Sequence, residues 1–299
     1  MEKIQLLRHL NRVEALGKSS KLFQFLSSPF RYLAVALSGN KKETIKEATL
    51  FYGKKMKVLL PASADIYLTQ GKAENEAIRI SRFLILELHK GDIFVDIGAY
   101  YGYYSLLATE LVGNKGHVYA IEATPKTFNI LAQNAQANDN IIALNYTVSD
   151  RNDKVAFYEF NQQYSSHNTL DIHLLENEEW YKNNIPTKIL VDALPIDEIV
   201  QEHNFIPTLI KIDVEGAENL VIRGAQVLLS QYHPMILMKY ILNIESTNIY
   251  AEAARILLHL GYAPFAILNN GEIERIDDIV AYLQSKKLDT DTFVFRHEQ

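Results

Sequence analysis

Apolar segments of strand length alternate with segments of helical spacing from residue 72 onwards, and this alternation constrains the fold more than any other feature of the sequence. Helical spacing is clear at Ile80, Phe83, Leu84 and Leu88, and Gly91 ends that helix. The predicted strands are residues 93–97, 117–121, 141–148, 208–212, 235–238, 263–268 and 292–295. Strands that alternate with helices form mostly parallel sheets covered on both faces. The sequence therefore predicts a doubly wound, mostly parallel, seven-stranded α/β sheet.

Residues 1–70 show a different pattern and are predicted to form an accessory segment ahead of a main domain, residues 71–299. Residues 1–50 contain helical spacing in short pieces, and residues 51–68 are interpreted as a small β-hairpin that turns at Gly53. Within the main domain, an extra strand at 155–160 precedes a polar loop, residues 161–186, which contains Tyr164, Trp180 and Tyr181. Because loops of this length in compact domains are usually functional or disordered, and aromatic faces suit sugar rings, the loop is predicted to be a substrate lid.

The composition indicates a globular protein without disulfides. Of 299 residues, 48% are hydrophobic and none is cysteine. No apolar run approaches the roughly 20 residues of a membrane span, so no transmembrane segment is expected. The N-terminus has charges in every apolar stretch and lacks the apolar core of a secretory signal. These features predict a soluble, cytoplasmic protein and exclude thiolate chemistry.

The net charge of −6 conceals an asymmetry along the chain. Residues 1–55 carry eleven Lys or Arg and four Asp or Glu, a net charge of +7, which leaves −13 for residues 56–299. A basic N-terminal segment can contact a membrane surface, a nucleic acid or an acidic partner, so peripheral membrane contact is one interpretation. The other is that these lysines only solvate the accessory helices, which is what charge runs usually do. The acidic body argues against a nucleic-acid partner, and nothing indicates the oligomeric state.

The turn after the first predicted strand reads D-x-G-x-x-x-G, from Asp96 through Gly98 to Gly102. A dinucleotide fold uses G-x-G-x-x-G, which lets the backbone contact a pyrophosphate at the helix N-terminus. The present loop has one glycine fewer, and its aspartate repels phosphate and attracts a cation. Since ligands bind at the carboxyl ends of such strands, Asp96, Gly98, Ala99, Tyr100 and Gly102 are expected to contact a cationic ligand. S-adenosylmethionine, with its ammonium and sulfonium groups, has this chemistry.

Acidic residues follow the next two predicted strands. Glu122 lies about 20 residues beyond Gly102, the spacing at which a carboxylate accepts hydrogen bonds from ribose hydroxyls. Ser149 and Asp150 end the third strand, where a polar pair could contact an adenine amino group. Each residue alone could equally be a helix cap, but the ordered set predicts a cofactor site.

Four segments resemble the signature blocks of the FkbM-type S-adenosylmethionine-dependent methyltransferases. They are FVDIGAYYGYYSLLA, VYAIEATP, NYTVSD and LIKIDVEGAENLVIRGA, and the resemblance covers about residues 70–240. It implies a class I, Rossmann-like methyltransferase fold and methylation of hydroxyl oxygens on saccharides, glycans or secondary metabolites. Three residues depart from the usual pattern: Tyr100 replaces an asparagine, Ala123 replaces a proline, and Lys239 replaces an acidic residue at the end of the fifth strand.

The candidate catalytic residues follow or lie in the fourth predicted strand. Asp213 is predicted to be the general base or to orient the substrate, with Glu215 beside it, although Asp213 could instead be a helix N-cap. Lys211 lies on the same side of the strand, where an ion pair is the alternative to catalysis. His167 in the loop is a further candidate base or a solvated histidine. No metal-ligand motif is present and no metal is predicted, although three carboxylates from separate strands could still assemble a magnesium site.

Two functions from different classes fit these observations. The first is an S-adenosylmethionine-dependent O-methyltransferase that acts on a hydroxyl of a saccharide, glycan or secondary metabolite. The second is a catalytically inactive S-adenosylmethionine-binding module with a regulatory or scaffold role, which Tyr100 and Lys239 would suit.

Overall fold

The computed structural model of the chain describes residues 2–38, 44–161, 168–170, 172, 179–242 and 247–298, with the backbone only for 247 and 248. The helices are α1 (Lys3–Gly17), α2 (Lys21–Ser27), α3 (Pro29–Ser38), α4 (Ala64–Thr69), α5 (Asn75–Glu87), α6 (Tyr103–Val112), α7 (Pro125–Ala135), α8 (Ile196–His203), α9 (Glu218–Arg223), α10 (Gln226–Tyr232), α11 (Thr247–His259) and α12 (Ile279–Lys286). The strands are β1 (Thr44–Thr49), β2 (Lys55–Leu60), β3 (Ile93–Ile97), β4 (His117–Ile121), β5 (Ile141–Leu144), β6 (Thr147–Val148), β7 (Asp153–Glu159), β8 (Thr187–Leu194), β9 (Leu209–Ile212), β10 (Met235–Ile241), β11 (Tyr262–Ile267), β12 (Ile273–Arg275) and β13 (Thr290–His297). No helix within these described ranges is both long and apolar enough to cross a membrane.

The main sheet has the strand order β5-β4-β3-β9-β10-β13-β11-β12. The strands from β5 to β10 are parallel, whereas β13 runs antiparallel to both β10 and β11. This confirms the doubly wound, mostly parallel sheet. The predicted count of seven strands is wrong, because β12 pairs antiparallel with β11 and makes eight. This strand has three residues and follows a turn at Gly271, so it is too short to produce a recognisable alternation.

Alternate residues of the central strands enter two different hydrophobic cores. Phe94 and Val118 pack in a core with α5, α6 and α7, whereas Val95 and Ile97 pack in a core with α8 to α12. Burial on both faces explains why these strands appear in the sequence as continuous apolar runs. Leu10 and neighbouring apolar residues of α1 belong to the first core, so the N-terminal segment packs against the sheet domain.

The N-terminal hairpin lies earlier in the chain than predicted. Its strands are β1 and β2, with Thr44 opposite Leu60, and the turn contains Gly53 at φ 86°. Residues after Pro61 form helix α4 instead of a second strand, because Ile66 and Thr69 bury one face at helical spacing. The predicted helical cap with a small hairpin is confirmed, but its hairpin pairs residues 44–49 with 55–60.

The predicted strand at 141–148 is divided between two sheets. The Asn145 side chain donates hydrogen bonds to the carbonyl oxygens of Glu122 (2.8 Å) and Ala123 (3.0 Å), and the chain leaves the main sheet there. Beyond it, β6 joins a three-stranded sheet of order β6-β8-β7. Strand β7 corresponds to the predicted extra strand, whereas β8 was not predicted because its apolar residues are interrupted by exposed Lys188 and Asp192.

Candidate active site

The turn after β3 is closed by contacts that only glycine permits. Gly98 has φ 74°, and a Cβ at this residue would lie 1.9 Å from the carbonyl oxygen of Asp213. The N–H groups of Gly98 and Ala99 both donate to the Ile121 carbonyl oxygen at 3.0 Å. Any side chain at Gly98 would separate the loop after β3 from the loop after β9. The turn therefore holds three strand ends together at one edge of the sheet.

Glu122 follows β4 and fixes the adjacent loop. Its Oε2 accepts a hydrogen bond from the Tyr100 N–H at 3.1 Å, and its Oε1 accepts from the N–H (3.1 Å) and hydroxyl (2.9 Å) of Thr124. Burial raises the pKa of Glu122 to about 7, although these hydrogen bonds favour the ionised form. The residue also lines a large cavity, so its remaining acceptor capacity is available to a ligand bound there.

Asp96 and Lys211 form a buried ion pair beneath the site. Lys211 Nζ lies 3.1 Å from Asp96 Oδ1, and the Ser105 hydroxyl donates to Asp96 Oδ2 at 2.6 Å. Burial lowers the pKa of Lys211, but Asp96 and Asp213 outweigh it, and the pKa lies above its ordinary value. Neither Asp96 nor Lys211 lines the cavity. Asp96 therefore neutralises a lysine of the protein, where the sequence suggested a cationic ligand, and the ion-pair alternative for Lys211 is the one observed.

Asp213, Glu215 and Lys239 form a second charged group that does face the cavity. Lys239 Nζ lies 2.9 Å from Glu215 Oε1 and 3.7 Å from Asp213 Oδ1, and Lys211 Nζ lies 3.7 Å from Asp213 Oδ2. Burial would raise the pKa of Asp213, but Lys239 and Lys211 lower it to about 2. Asp213 in turn raises the pKa of Lys239 above its ordinary value. Asp213 is thus a carboxylate at neutral pH, held between two ammonium groups.

Glu218 holds the backbone of this loop and was not predicted as a site residue. It is fully buried, and its carboxyl oxygens accept hydrogen bonds from the Gly216 N–H (3.0 Å) and the Val214 N–H (3.3 Å). Burial raises the pKa of Glu218 to about 8. Glu215 has φ 52°, a left-handed conformation that is unfavourable for a residue with a Cβ, whereas Gly216 adopts its φ of 101° without strain. Glu218 therefore positions Asp213 and Glu215 without reaching the cavity.

A cavity of about 830 Å³ lies at the carboxyl ends of β3, β4, β9 and β10. The loops after these strands line one side with Gly98, Tyr100, Glu122 and Asp213. Residues 61–66, Lys72 and Glu74 line another side, so the N-terminal segment forms part of the site. No sequence signal identified this contribution, because it depends on how β2 and α4 pack against the domain.

The four tyrosines of the turn have different roles. Tyr100 lines the cavity, with φ 53°, and its ring stacks on that of Tyr101 with centroids 3.9 Å apart. Tyr101, Tyr103 and Tyr104 are buried in the first core. Tyr104 also lies 5.5 Å from Lys211 Nζ, measured to the ring centroid. One tyrosine therefore forms the wall of the site and three support it.

The predicted adenine-contacting pair, Ser149 and Asp150, does not reach the cavity, whereas part of the predicted lid does. Ser149 and Asp150 follow β6 and do not line the cavity; Tyr146, Thr147 and Val148 line it instead. His167 and Tyr164 lie outside the described residues. Of the described loop residues, Asn168 and Leu170 line the cavity, which agrees with a loop near the substrate. Trp180 packs on Phe160, with ring centroids 5.2 Å apart.

The charge of the cavity fits S-adenosylmethionine. Among the described residues, the lining side chains include two lysines and six carboxyl groups, namely Lys72, Lys239, Asp65, Glu74, Glu122, Asp213, Glu215 and Asp289. An excess of carboxylates attracts a ligand that carries ammonium and sulfonium groups. Glu122 would accept hydrogen bonds from the ribose hydroxyls, and the Gly98 turn would lie against the methionine portion.

Comparison with known proteins places this site in a family context. A family model described as the methyltransferase FkbM domain matches residues 96–287. A probable cobalt-precorrin-6B C(15)-methyltransferase (decarboxylating) from Saccharolobus solfataricus is 25% identical over 160 residues, which are 51% of this chain and 76% of that protein. Hexuronic acid methyltransferase AglP from Haloferax volcanii is 24% identical over 155 residues, 51% of this chain and 56% of that protein.

Similar solved structures include the methyltransferase FkbM from Methylobacillus flagellatus KT. The TM-score is 0.45 at 18% identity, covering 79% of this chain and 53% of that one. The match to AglP and the match to this structure thus each span only about half of the other protein.

The family match covers more than half of the chain, and it contains the Gly98 turn, Glu122 and the Asp213 loop. These are the elements that form the cavity at the carboxyl edge of the sheet. The chain therefore belongs to the FkbM methyltransferase family, a family of S-adenosylmethionine-dependent methyltransferases.

Proposed function

We propose that the protein transfers the methyl group of S-adenosylmethionine to a hydroxyl oxygen of a saccharide or a similar polyhydroxylated acceptor. The observation that carries this proposal is the position of Asp213, which lines the cavity between Lys211 and Lys239. A carboxylate in this place can accept a hydrogen bond from an acceptor hydroxyl and hold the oxygen in line with a methyl donor. Such alignment supplies several kcal/mol of a displacement barrier.

Proton removal from the acceptor is consistent with the low pKa of Asp213. A hydroxyl oxygen that has gained a methyl group becomes an oxonium ion, which is a far stronger acid than a carboxyl group. Asp213, with a pKa of about 2, can therefore take this proton at Oδ2 as the oxygen–methyl bond forms, since its Oδ1 is buried. S-adenosylmethionine supplies the methyl group, and its sulfonium becomes a neutral thioether. Lys239 keeps Asp213 ionised before the transfer.

The cavity lining supports a polyhydroxylated acceptor. The volume of about 830 Å³ lies in the upper part of the usual range for ligand sites, about 300–1,000 Å³. The N-terminal side adds Asp65 and Glu74, whose oxygens can accept hydrogen bonds from hydroxyls, and Tyr146 adds an aromatic face. The name of the relative AglP, a hexuronic acid methyltransferase, supports a sugar acceptor. The excess of carboxylates favours a neutral sugar over a uronate.

A second candidate function is a catalytically inactive S-adenosylmethionine-binding module. Lys239 engages both Asp213 and Glu215, and this pairing would leave neither carboxylate free for a substrate. Under this alternative the charge network stabilises the loop and turnover is absent.

Isotope transfer from labelled S-adenosylmethionine separates the two candidates. The full chain is incubated with neutral sugars, hexuronic acids, glycolipids and polyketides, and mass spectrometry locates the label in each product. We expect label on an oxygen of a neutral saccharide. Calorimetric binding of S-adenosylmethionine without transfer to any member of the panel would favour the inactive module, and transfer to carbon would contradict the proposed reaction.

A further inference from the structure

Helices α2 and α3 of the N-terminal segment expose an apolar surface to solvent. None of the described residues 21–38 is buried, and α3 contains a single charged residue, Arg31. The large apolar residues exposed on these helices, here named the α2–α3 face, are Leu22, Phe23, Phe25, Leu26, Phe30, Leu33 and Leu37. Phe30 is 87% exposed and Leu37 is 77% exposed. A helix that is apolar over most of its surface is normally covered by protein or by lipid.

The two helices form one surface, since they contact each other along the chain. The rings of Phe25 in α2 and Tyr32 in α3 pack edge to face, with centroids 5.6 Å apart. The Ser20 hydroxyl caps α2 by accepting a hydrogen bond from the Phe23 N–H at 3.3 Å. The exposed side chains therefore belong to a folded helix pair, in which Leu22, Phe30 and Leu37 are presented to solvent together.

The charged residues of the two helices, Lys21 and Arg31, are both positive, whereas Lys18, just before them, pairs with Glu14 of α1 at 2.7 Å. Residues 18–38 contain Lys18, Lys21 and Arg31 and no Asp or Glu, and residues 1–55 carry a net charge of +7. Helices that lie in a membrane interface have this composition, with apolar Phe and Leu residues beside basic Lys and Arg residues. Anionic lipid headgroups attract such cations, while the acyl region accepts the apolar side chains.

We propose that the α2–α3 face docks on an anionic lipid bilayer. A second copy of the chain is a less favourable occupant, because a symmetric contact through this face would bring two positively charged segments together. A bilayer with anionic headgroups complements both the apolar side chains and the charge. This inference extends beyond methyl transfer and does not depend on the acceptor.

Helix α4 connects the docking surface to the candidate active site. Leu68 of α4 and Phe30 of α3 line a cavity of about 500 Å³ between the two helices. Residues 61–66, which include the start of α4, line the large cavity at the carboxyl edge of the sheet. Lipid contact at α3 therefore adjoins the element that forms one wall of the active site.

Vesicle co-sedimentation of the full chain tests this proposal. The vesicles are phosphatidylcholine alone or an equimolar mixture with phosphatidylglycerol, each at low and high salt. We expect binding to the mixed vesicles and much weaker binding to phosphatidylcholine, with a decrease at high salt because headgroup charges are screened. Binding to neither kind of vesicle at low salt would overturn the proposal.

One double variant and a matched control assign the binding to this face. Phe30→Glu with Leu37→Glu is expected to reduce vesicle binding by about ten-fold or more, since two charged groups then enter the apolar layer. Ile185→Glu is the control, because Ile185 is 79% exposed but lies just before β8, and it should bind as the unaltered chain does. Circular dichroism confirms that each variant is folded.

Analytical ultracentrifugation without lipid tests whether a second copy of the chain occupies the α2–α3 face instead. A dimer that the Phe30→Glu and Leu37→Glu changes dissociate would assign the face to a second copy and overturn lipid docking. Equal vesicle binding by the double variant and the unaltered chain would also overturn it. Neither measurement uses methyl transfer, so a failed activity assay leaves this test unaffected.

Discussion

Lys211 of β9 and Lys239 of β10 lie on adjacent strands and both pair with carboxylates, but only the second faces the cavity. The side chains of Lys211 and Asp96 are 5% and 0% exposed, whereas those of Lys239 and Glu215 are 22% and 27% exposed. A buried pair cannot exchange its partner for a ligand or for water. The comparison teaches that burial, not residue type, separates the charges that support this site from those that act in it.

Asp213 connects the two groups, because each lysine lies 3.7 Å from one of its oxygens. A carboxylate that lies between two ammonium groups remains ionised even when a ligand displaces solvent from it. The buried pair thus contributes to the electrostatics of the cavity through Asp213.

The largest effect is expected when the buried pair is broken. Lys211→Met leaves Asp96 buried without its cation, which typically costs about 3–5 kcal/mol of the free energy of unfolding. Urea denaturation measures this loss, with Lys239→Met as the matched control in the neighbouring strand. The double variant Lys211→Met with Asp96→Asn should recover part of the loss, because no buried charge then remains. A loss below about 1 kcal/mol in Lys211→Met would remove the distinction between the two pairs.

The charged group that faces the cavity, which contains Asp213, should affect turnover more than stability. Asp213→Asn keeps the shape but removes the proton acceptor, and we expect kcat to fall by about 10²-fold or more. Affinity for S-adenosylmethionine, measured by calorimetry, should change only slightly, since Glu122 and the Gly98 turn are intact. Glu215→Gln is the control at the same cavity wall and should retain most of the turnover. Unchanged kcat in Asp213→Asn would show that this carboxylate has no part in the reaction.

A smaller effect is expected at Glu218, a buried carboxyl that accepts hydrogen bonds from backbone N–H groups. Its pKa is about 8 in the folded protein against an ordinary value of 4.5, so the folded state binds the additional proton between these values. The free energy of unfolding should therefore fall as pH rises from about 5 to 8, by at least about 1 kcal/mol from this group. Glu218→Gln should flatten that slope when urea denaturation is repeated across the range. An unchanged slope would mean that Glu218 titrates normally.

The sequence was sufficient to predict the parts of the fold and site that depend on local patterns. Buried parallel strands have long apolar runs, and the Gly98 turn and Glu122 lie at fixed distances along the chain, so both were found. The partner of Asp96 could not be fixed in advance, because Lys211 is more than a hundred residues away and the pair forms only when β3 and β9 align. The contribution of residues 61–66 to the cavity likewise depends on long-range packing.

Replacement of Lys239 should have the smallest effect on the free energy of unfolding and a specific effect on the pH dependence of turnover. Its side chain is partly exposed, so Lys239→Met should lower the free energy of unfolding by less than about 1 kcal/mol. Lys239 is also the cation that contributes most to the low pKa of Asp213. Without it the carboxylate ionises less readily and that pKa rises, so on acidification turnover should decline at a higher pH than in the unaltered chain.

The pH profile of kcat/KM measures this displacement, and Lys239→Arg, which retains the cation, should leave the profile in place. If Lys239→Met shifted the acid limb no further than Lys239→Arg, Lys239 would be a loop anchor like the buried Lys211. The two lysines would then differ only in exposure, and the chemical distinction between the two pairs would be lost.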